Sequence, residues 1–207
     1  MTFGTVDSSG ETSAWVNAKI AALRAGNAQS RDELVSFAAG RMQAATQRML
    51  RRFPKVRRWE ETNDVAQNAV IRLYKTLQKI VPHDARGFLA LAAVHIRREL
   101  IDLARKYAGP QSHAANHQTS AIDPNGQRIA AVDLAATHED SPDETARWIM
   151  LHEAAEKLPD EERELFGLVW YLGMPQAQAA ETLGCSLRTV KRRWESVKRH
   201  MRRHAPD

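Results

Sequence analysis

Apolar residues recur every three or four positions along almost the whole chain, whereas stretches of alternating β-branched and polar residues are nearly absent. The first pattern places apolar side chains on one face of an α-helix, and the second is the pattern that a half-buried strand requires. Alanine, leucine, arginine, glutamate and glutamine, which are good helix formers, dominate the composition. We therefore predict an all-α fold.

Residues 109–141 interrupt this helical pattern. The segment is rich in glycine, proline, asparagine, serine and histidine, and it contains one basic and four acidic residues. By contrast, residues 29–108 contain 16 basic and eight acidic residues. These changes in composition predict two helical modules, at 13–108 and 142–205, joined by a flexible acidic linker at 109–141.

Several classes of protein and site are disfavoured by the sequence. The single cysteine, Cys185, excludes an internal disulfide and a cysteine-rich zinc site. No apolar run reaches the roughly 18 residues that a membrane span needs, and the first residues lack the basic start and apolar core of a secretion signal. We therefore expect a cytoplasmic protein with no membrane partner.

Two histidine pairs have the i,i+4 spacing of metal ligands, but neither has a favourable setting. His113 and His117 fall in the predicted linker, and His200 and His204 lie among arginines that repel a cation. We predict no metal site and no cofactor.

The C-terminal helical pattern is apolar on one side and basic on the other. Val190, Trp194, Val197 and Met201 form one stripe at spacings of four, three and four. Before it, "PQAQAAETLGCSLRTVKRRW" combines a short alanine-rich helix, a Leu-Gly turn and a capping residue, Ser186. This arrangement predicts a helix-turn-helix, although a solvated helical hairpin could give a similar pattern.

The basic face of this last helix is a candidate DNA-binding surface. In a helix-turn-helix, the N-terminal residues of the second helix reach base edges in the major groove, and later basic residues contact phosphates. The residues predicted to bind the DNA are Ser186, Arg188, Thr189, Lys191, Arg192, Arg193, Lys198 and Arg199. The overall excess of 30 Lys and Arg over 25 Asp and Glu is consistent with a polyanionic partner.

Two separate parts of the sequence resemble the sigma-70 family of bacterial sigma factors, of the extracytoplasmic-function (ECF) type. "LPDEERELFGLVWYLGMPQAQAAETLGCSLRTVKRRW" resembles the region that binds the −35 promoter element. "NDVAQNAVIRLYKTL" resembles the helix that binds the clamp of the polymerase β′ subunit, and "RGFLALAAVHIRRELIDLARKYAGP" resembles the following helix, which contacts the −10 element. The matching positions in these two helices are Asp64, Gln67, Arg72, Leu73, Tyr74, Phe88, Arg97, Asp102 and Arg105.

The resemblance implies a sigma factor that binds the RNA polymerase core, through the β′ clamp and the β subunit, and directs it to promoter DNA. An anti-sigma factor as a further partner is left open. The residues implied in polymerase binding are Asp64, Gln67, Asn68 and Arg72, with Asn68 at a position that is usually acidic in the family. Those implied in −10 binding are Arg86, Phe88, Arg97, Arg98, Arg105 and Lys106. Phe88 has two interpretations, as a base-stacking residue and as a core aromatic at the start of its helix.

Two other functions have to be weighed against this one. A helix-turn-helix regulator with a sensing or dimerising N-terminal domain would share the C-terminal pattern, but it would leave the pattern around Asp64 and the basic helix after it unexplained. A nucleic-acid enzyme would need clustered carboxylates or a nucleophile with its base. The acidic residues are scattered, so we predict no catalytic residues and no enzymatic activity.

Overall fold

The computed structural model describes residues 9–50, 62–108, 121–122, 128–129 and 142–204. The N-terminal module comprises α1 (Ser9–Arg24), α2 (Gln29–Leu50), α3 (Thr62–Leu77) and α4 (Ala85–Ala108). A two-residue antiparallel pair follows, β1 (Ala121–Ile122) with β2 (Arg128–Ile129). The C-terminal module comprises α5 (Pro142–Glu156), α6 (Asp160–Phe166), a π-helical turn (Gly167–Tyr171), α7 (Gln176–Thr182) and α8 (Leu187–His204). The prediction of an all-α fold is confirmed.

Helix α3 illustrates how the sequence pattern positions an element. Val65, Ala69, Leu73 and Leu77 are spaced four apart and are all buried, so they form one apolar stripe that packs on α2 and α4. Residues on the opposite side of α3 are exposed. The amphipathic pattern therefore fixes which side of α3 faces solvent.

A π-helical turn, which is wider than a turn of α-helix, lies between α6 and α7. The N–H of Leu172 donates to the carbonyl of Gly167 at 3.2 Å, an i to i+5 hydrogen bond in place of the usual i to i+4 bond. The ring of Phe166 stacks on Trp170 at 5.5 Å and on Trp194 of α8 at 6.1 Å. These contacts join α6, the π turn and α8 into one aromatic cluster.

The buried residues of both modules form one continuous hydrophobic core. Trp148 of α5 is fully buried, and its Nε1–H donates to the carbonyl of Leu100 in α4 at 3.0 Å. At Gly167, a Cβ would lie only 3.1 Å from the Cβ of Ala93, so α4 and the π turn approach closely. The two modules are therefore packed together here.

The predicted module boundaries stay a prediction. Most of the predicted linker at 109–141 lies outside the described residues, and so do His113 and His117.

Candidate nucleic-acid interface

A tight turn connects α7 to α8. The N–H of Cys185 donates to the carbonyl of Ala180 at 3.0 Å, and the N–H of Gly184 donates to the carbonyl of Glu181 at 3.1 Å. Gly184 has a φ of +64°, a backbone conformation that glycine adopts without steric cost. These bonds form the Schellman motif that commonly ends a helix. The turn therefore fixes the direction in which α8 leaves α7.

Ser186 caps the start of α8, as its sequence position predicts. Its Oγ accepts the backbone N–H of Thr189 at 3.1 Å and lies 2.9 Å from the hydroxyl of Thr189. The cap satisfies one of the N–H groups that a helix start leaves without an intrahelical partner. Both hydroxyls are thus engaged with each other at the end of the helix that would approach DNA.

The apolar stripe that the sequence predicts on α8 is confirmed. Val190, Val197 and Met201 are buried, and Trp194 is half-buried against Phe166. This stripe anchors the helix to the rest of the C-terminal module. Basic side chains on the other faces of α8 are exposed, namely Arg188, Lys191, Arg192, Lys198, Arg199, Arg202 and Arg203.

Two of the predicted DNA-binding residues on α8 have acidic partners. Arg193 is only 23% exposed, and its Nη2 lies 2.5 Å from Oε2 of Glu161 in α6. Lys198 pairs with Glu195 of the same helix, with 2.6 Å between Nζ and Oε1. The exposed charge in the first two turns of α8 therefore comes from Arg188, Lys191 and Arg192.

The basic residues of α4 face the C-terminal module. Arg86 donates two hydrogen bonds to Glu164 of α6, from Nε to Oε1 at 2.5 Å and from Nη2 to Oε2 at 2.6 Å. This bidentate pair raises the pKa of Arg86. Arg97 pairs with Glu156 of α5.

The same face of α4 borders a groove of about 370 Å³ against α5. Arg105 lies on this groove with its Nη2 3.8 Å from Oε1 of Glu153, and Arg98 and Lys157 add exposed positive charge to its lining. Lys106 belongs to α4, but its side chain lies outside the described residues. The predicted −10 residues of α4 other than Phe88 and Lys106 are thus ion-paired with the C-terminal module or border the groove.

The interpretation of Phe88 as a base-stacking residue is wrong. Its side chain is 0% exposed, so its ring offers no face on which a base could stack, and the interpretation as a core aromatic is the right one. The helix start is instead capped by Asp84, whose Oδ1 accepts the N–H of Gly87 at 2.8 Å. This hydrogen bond lowers the pKa of Asp84. His83, which precedes Asp84, is exposed.

The predicted polymerase-binding residues lie on α3. Asp64, Gln67 and Asn68 are exposed on one face of the helix. Arg72 is turned toward α4, where Nε lies 3.1 Å from Glu99 and Nη2 lies 3.0 Å from Asp102. The structure therefore brings the first three residues together and gives Arg72 a role in joining α3 to α4.

A comparison with models of protein families shows which family the chain belongs to. A family model described as ECF sigma factor matches residues 13–207, which include both modules. The chain belongs to the ECF sigma factor family. Its role is accordingly in promoter recognition and transcription initiation. Comparisons with curated proteins and with solved structures return no significant match.

The structure adds two features of this sigma factor that the sequence interpretation missed. Ile71 is 43% exposed and follows Asp64, Gln67 and Asn68 at the next helical interval on the same face of α3. The carboxylates that pair with the basic residues were also missed. Six acidic residues fall within "HEAAEKLPDEERE", but nothing in this stretch indicates which arginines they contact.

Within the described residues of this sigma factor, no helix is both long enough and apolar enough to cross a bilayer.

Proposed function

We propose that this ECF sigma factor binds the core of bacterial RNA polymerase through α3 and places it on promoters through α8 and α4. The family match across both modules is the observation that supports the proposal most strongly. Three surfaces, two on the N-terminal module and one on the C-terminal module, are suited to the parts of this task.

The polymerase-binding surface is the exposed face of α3. It consists of Asp64, Gln67, Asn68 and Ile71, which lie at positions i, i+3, i+4 and i+7 of one helix. A partly exposed apolar side chain surrounded by polar groups is the arrangement found at protein interfaces, where an apolar centre is bordered by hydrogen-bonding residues. We assign Ile71 as the centre of this surface.

The −35 surface is the first two turns of α8. Arg188 and Arg192 are one turn apart and exposed, and the buried stripe at Val190 lies on the other side of the helix. A second helix that enters the major groove presents its N-terminal residues to base edges. An arginine bonded to guanine there discriminates against other bases by about 1–3 kcal/mol.

The −10 surface is the basic face of α4. Opening the DNA duplex costs a few kcal/mol for each unstacked step, and contacts to the separated strand must offset that cost. Arg86, Arg97, Arg98 and Arg105 supply the positive charge for these contacts. Because Phe88 is buried, we expect another side chain to capture the melted base.

Two measurements test the proposal. In run-off transcription with core polymerase and genomic fragments, the chain should produce discrete transcripts that core polymerase alone does not make. In a pull-down with core polymerase, the double variant Gln67→Ala and Ile71→Ala should bind at least tenfold more weakly than the wild type. Full binding by this variant would contradict the assignment of the α3 surface.

A matched control for the pull-down changes an exposed glutamine and an exposed apolar residue elsewhere, Gln47→Ala and Met150→Ala. This control should bind core polymerase as the wild type does. The helical content of both double variants should remain unchanged, because all four side chains are exposed.

A further inference from the structure

A single carboxylate lies within the basic face of α8. Among the 18 residues of this helix, eight are Lys or Arg and one, Glu195, is acidic. Its side chain is 57% exposed, and Val190 and Val197, which anchor the helix, are buried on the other side. Because DNA carries a negative charge at every phosphate, a carboxylate on this face lowers the affinity for DNA unless it gains a hydrogen-bond donor there.

Glu195 lies at a position from which a recognition helix reads bases. The exposed residues at positions i, i+3, i+4 and i+7 of this face are Arg188, Lys191, Arg192 and Glu195. The recognition helix of homeodomains presents its base-contacting side chains at the same spacing. With a rise of 1.5 Å per residue, Glu195 lies about 10 Å further along the helix axis than Arg188. That distance corresponds to about three base pairs of B-DNA.

Lys198 keeps the carboxylate of Glu195 ionised and restricts its orientation. Nζ of Lys198 lies 2.6 Å from Oε1 of Glu195. This hydrogen bond, together with the charges of Lys198, Arg202 and Arg199, lowers the pKa of Glu195. An ionised carboxylate has lone pairs on both oxygens, so the ion pair leaves acceptor capacity for a second donor. Glu195 therefore faces the DNA as a hydrogen-bond acceptor that is already partly oriented.

The edges of the four bases respond differently to such an acceptor in the major groove. Guanine and thymine present only acceptors there, and adenine presents an acceptor beside its amino group. Cytosine presents its N4 amino group and no acceptor of its own. An ionised carboxylate donates no hydrogen bond, so it is repelled by each acceptor that it meets. Cytosine is therefore the base whose edge matches Glu195.

We infer that Glu195 is a specificity-determining residue that accepts a hydrogen bond from the N4 amino group of a cytosine in the −35 element. The inference rests on the proposed assignment of α8 to −35 binding. The cytosine lies about three base pairs from the position that Arg188 contacts. In this scheme the arginines attract DNA of any sequence, whereas Glu195 opposes every sequence that places no amino group opposite it.

Holoenzyme assembled from core polymerase and the full chain tests the inference. The DNA is a promoter fragment found by run-off transcription, prepared with each of the four base pairs at every position of its −35 element. We expect the wild type to prefer cytosine at one position by roughly fivefold or more in binding affinity. Glu195→Ala should abolish that preference and leave the preferences at the other positions unchanged. Because Glu195 is exposed, thermal unfolding of this variant should match that of the wild type.

Glu195→Gln gives a second measurement. Glutamine forms a bidentate pair with N6 and N7 of adenine, so this variant should bind the adenine fragment relatively better. We expect the ratio of affinities for cytosine and adenine at that position to fall by roughly fivefold or more. Glu11→Gln is the matched control, because it removes one negative charge from an exposed residue of α1. The control should keep the wild-type preference at every position.

A different result is expected if Glu195 only forms a surface ion pair with Lys198. Both Glu195 variants would then bind all fragments more tightly by a common factor, because each removes a negative charge that faces DNA. That outcome would overturn the inference and leave the proposed function intact, and so would a preference for another base at the position that Glu195→Ala affects. If the wild-type holoenzyme had no base preference anywhere in the −35 element, the proposed role of α8 would be wrong, and the inference with it.

Discussion

The hydroxyl of Tyr171 lies 2.7 Å from Nδ1 of His152, and both side chains are buried. Trp148 packs edge-on against the imidazole, with 4.7 Å between ring centroids. Burial, together with the nearby charge of Arg97, lowers the pKa of His152 to about 3, and burial raises the pKa of Tyr171. The pair is therefore neutral in the folded protein at ordinary pH.

This pair predicts a loss of stability in mild acid. In the unfolded chain His152 binds a proton below its ordinary pKa of 6.5, whereas in the folded protein it stays neutral down to about pH 3. Its contribution is fully present above pH 6.5 and decreases as the pH falls toward 3. Between pH 7 and pH 5 the free energy of unfolding should drop by about 2 kcal/mol from this group alone.

The measurement is urea unfolding at the two pH values for the wild type and for His152→Leu. The variant should be less stable at pH 7, because the hydroxyl of Tyr171 loses its partner at a cost of about 1–3 kcal/mol. Its stability should also depend less on pH. An identical pH dependence in the two proteins would show that His152 is charged in the folded state.

Substitution of the capping residue Ser186 should lower the free energy of unfolding by an amount that depends on the replacement. Ser186→Ala removes the acceptor for the N–H of Thr189 and should lower the free energy of unfolding by about 1 kcal/mol, whereas Ser186→Gly should cost only a few tenths. Thermal unfolding of the two variants checks this order. If Ser186→Ala left the free energy of unfolding unchanged from the wild type, the hydrogen bond would contribute nothing to stability.

Substitution by alanine should have opposite effects on stability at two glycines. A Cβ on either Gly184 or Gly40 would meet nothing within 4 Å, so neither substitution causes a clash. At Gly184 the φ of +64° should make Gly184→Ala destabilising by about 1 kcal/mol. Gly40 is exposed in the interior of α2, so Gly40→Ala should stabilise by a similar amount. Denaturant midpoints of the two variants should move in opposite directions.

The length of α8 predicts that its arginines differ in function. Arg188 and Arg192 lie near the start of the helix, and Arg202 and Arg203 lie about three turns further on. Replacing Arg188 or Arg192 by alanine should change the preference for particular −35 bases. Replacing Arg202 and Arg203 should weaken binding to all sequences alike and reduce its salt dependence.

This difference is measured by binding to singly substituted −35 duplexes at two salt concentrations. The Arg202 and Arg203 variant is the control for a loss of charge without a loss of base contact. Uniform weakening in the Arg188 and Arg192 variants would contradict a role in base recognition through those residues.

Features determined by local spacing could be predicted from the sequence. The stripe at Val190, Val197 and Met201 follows from helical periodicity, and the cap at Ser186 follows from residue type and position. The resemblance of the stretch around Asp64 and Gln67 to the clamp-binding helix of sigma factors likewise depended on a short run of residues. Each of these features is contained within one or two turns of helix.

Features that join distant segments could not be predicted in this way. The pair Arg86–Glu164 and the hydrogen bond from Trp148 to Leu100 link the two modules across the predicted linker. No periodic pattern records such contacts, because each partner is an ordinary residue of its own helix. The burial of Phe88 has the same cause, since it depends on helices that pack around it.

The close approach of Gly167 to Ala93 also has an evolutionary consequence. The two positions share a single gap, to which Gly167 adds no side-chain atom, so an enlargement at one can be accepted only if the other stays small or the modules separate. Relatives whose modules pack in the same way should therefore vary at these two positions in concert. Relatives with large residues at both positions should have their modules apart.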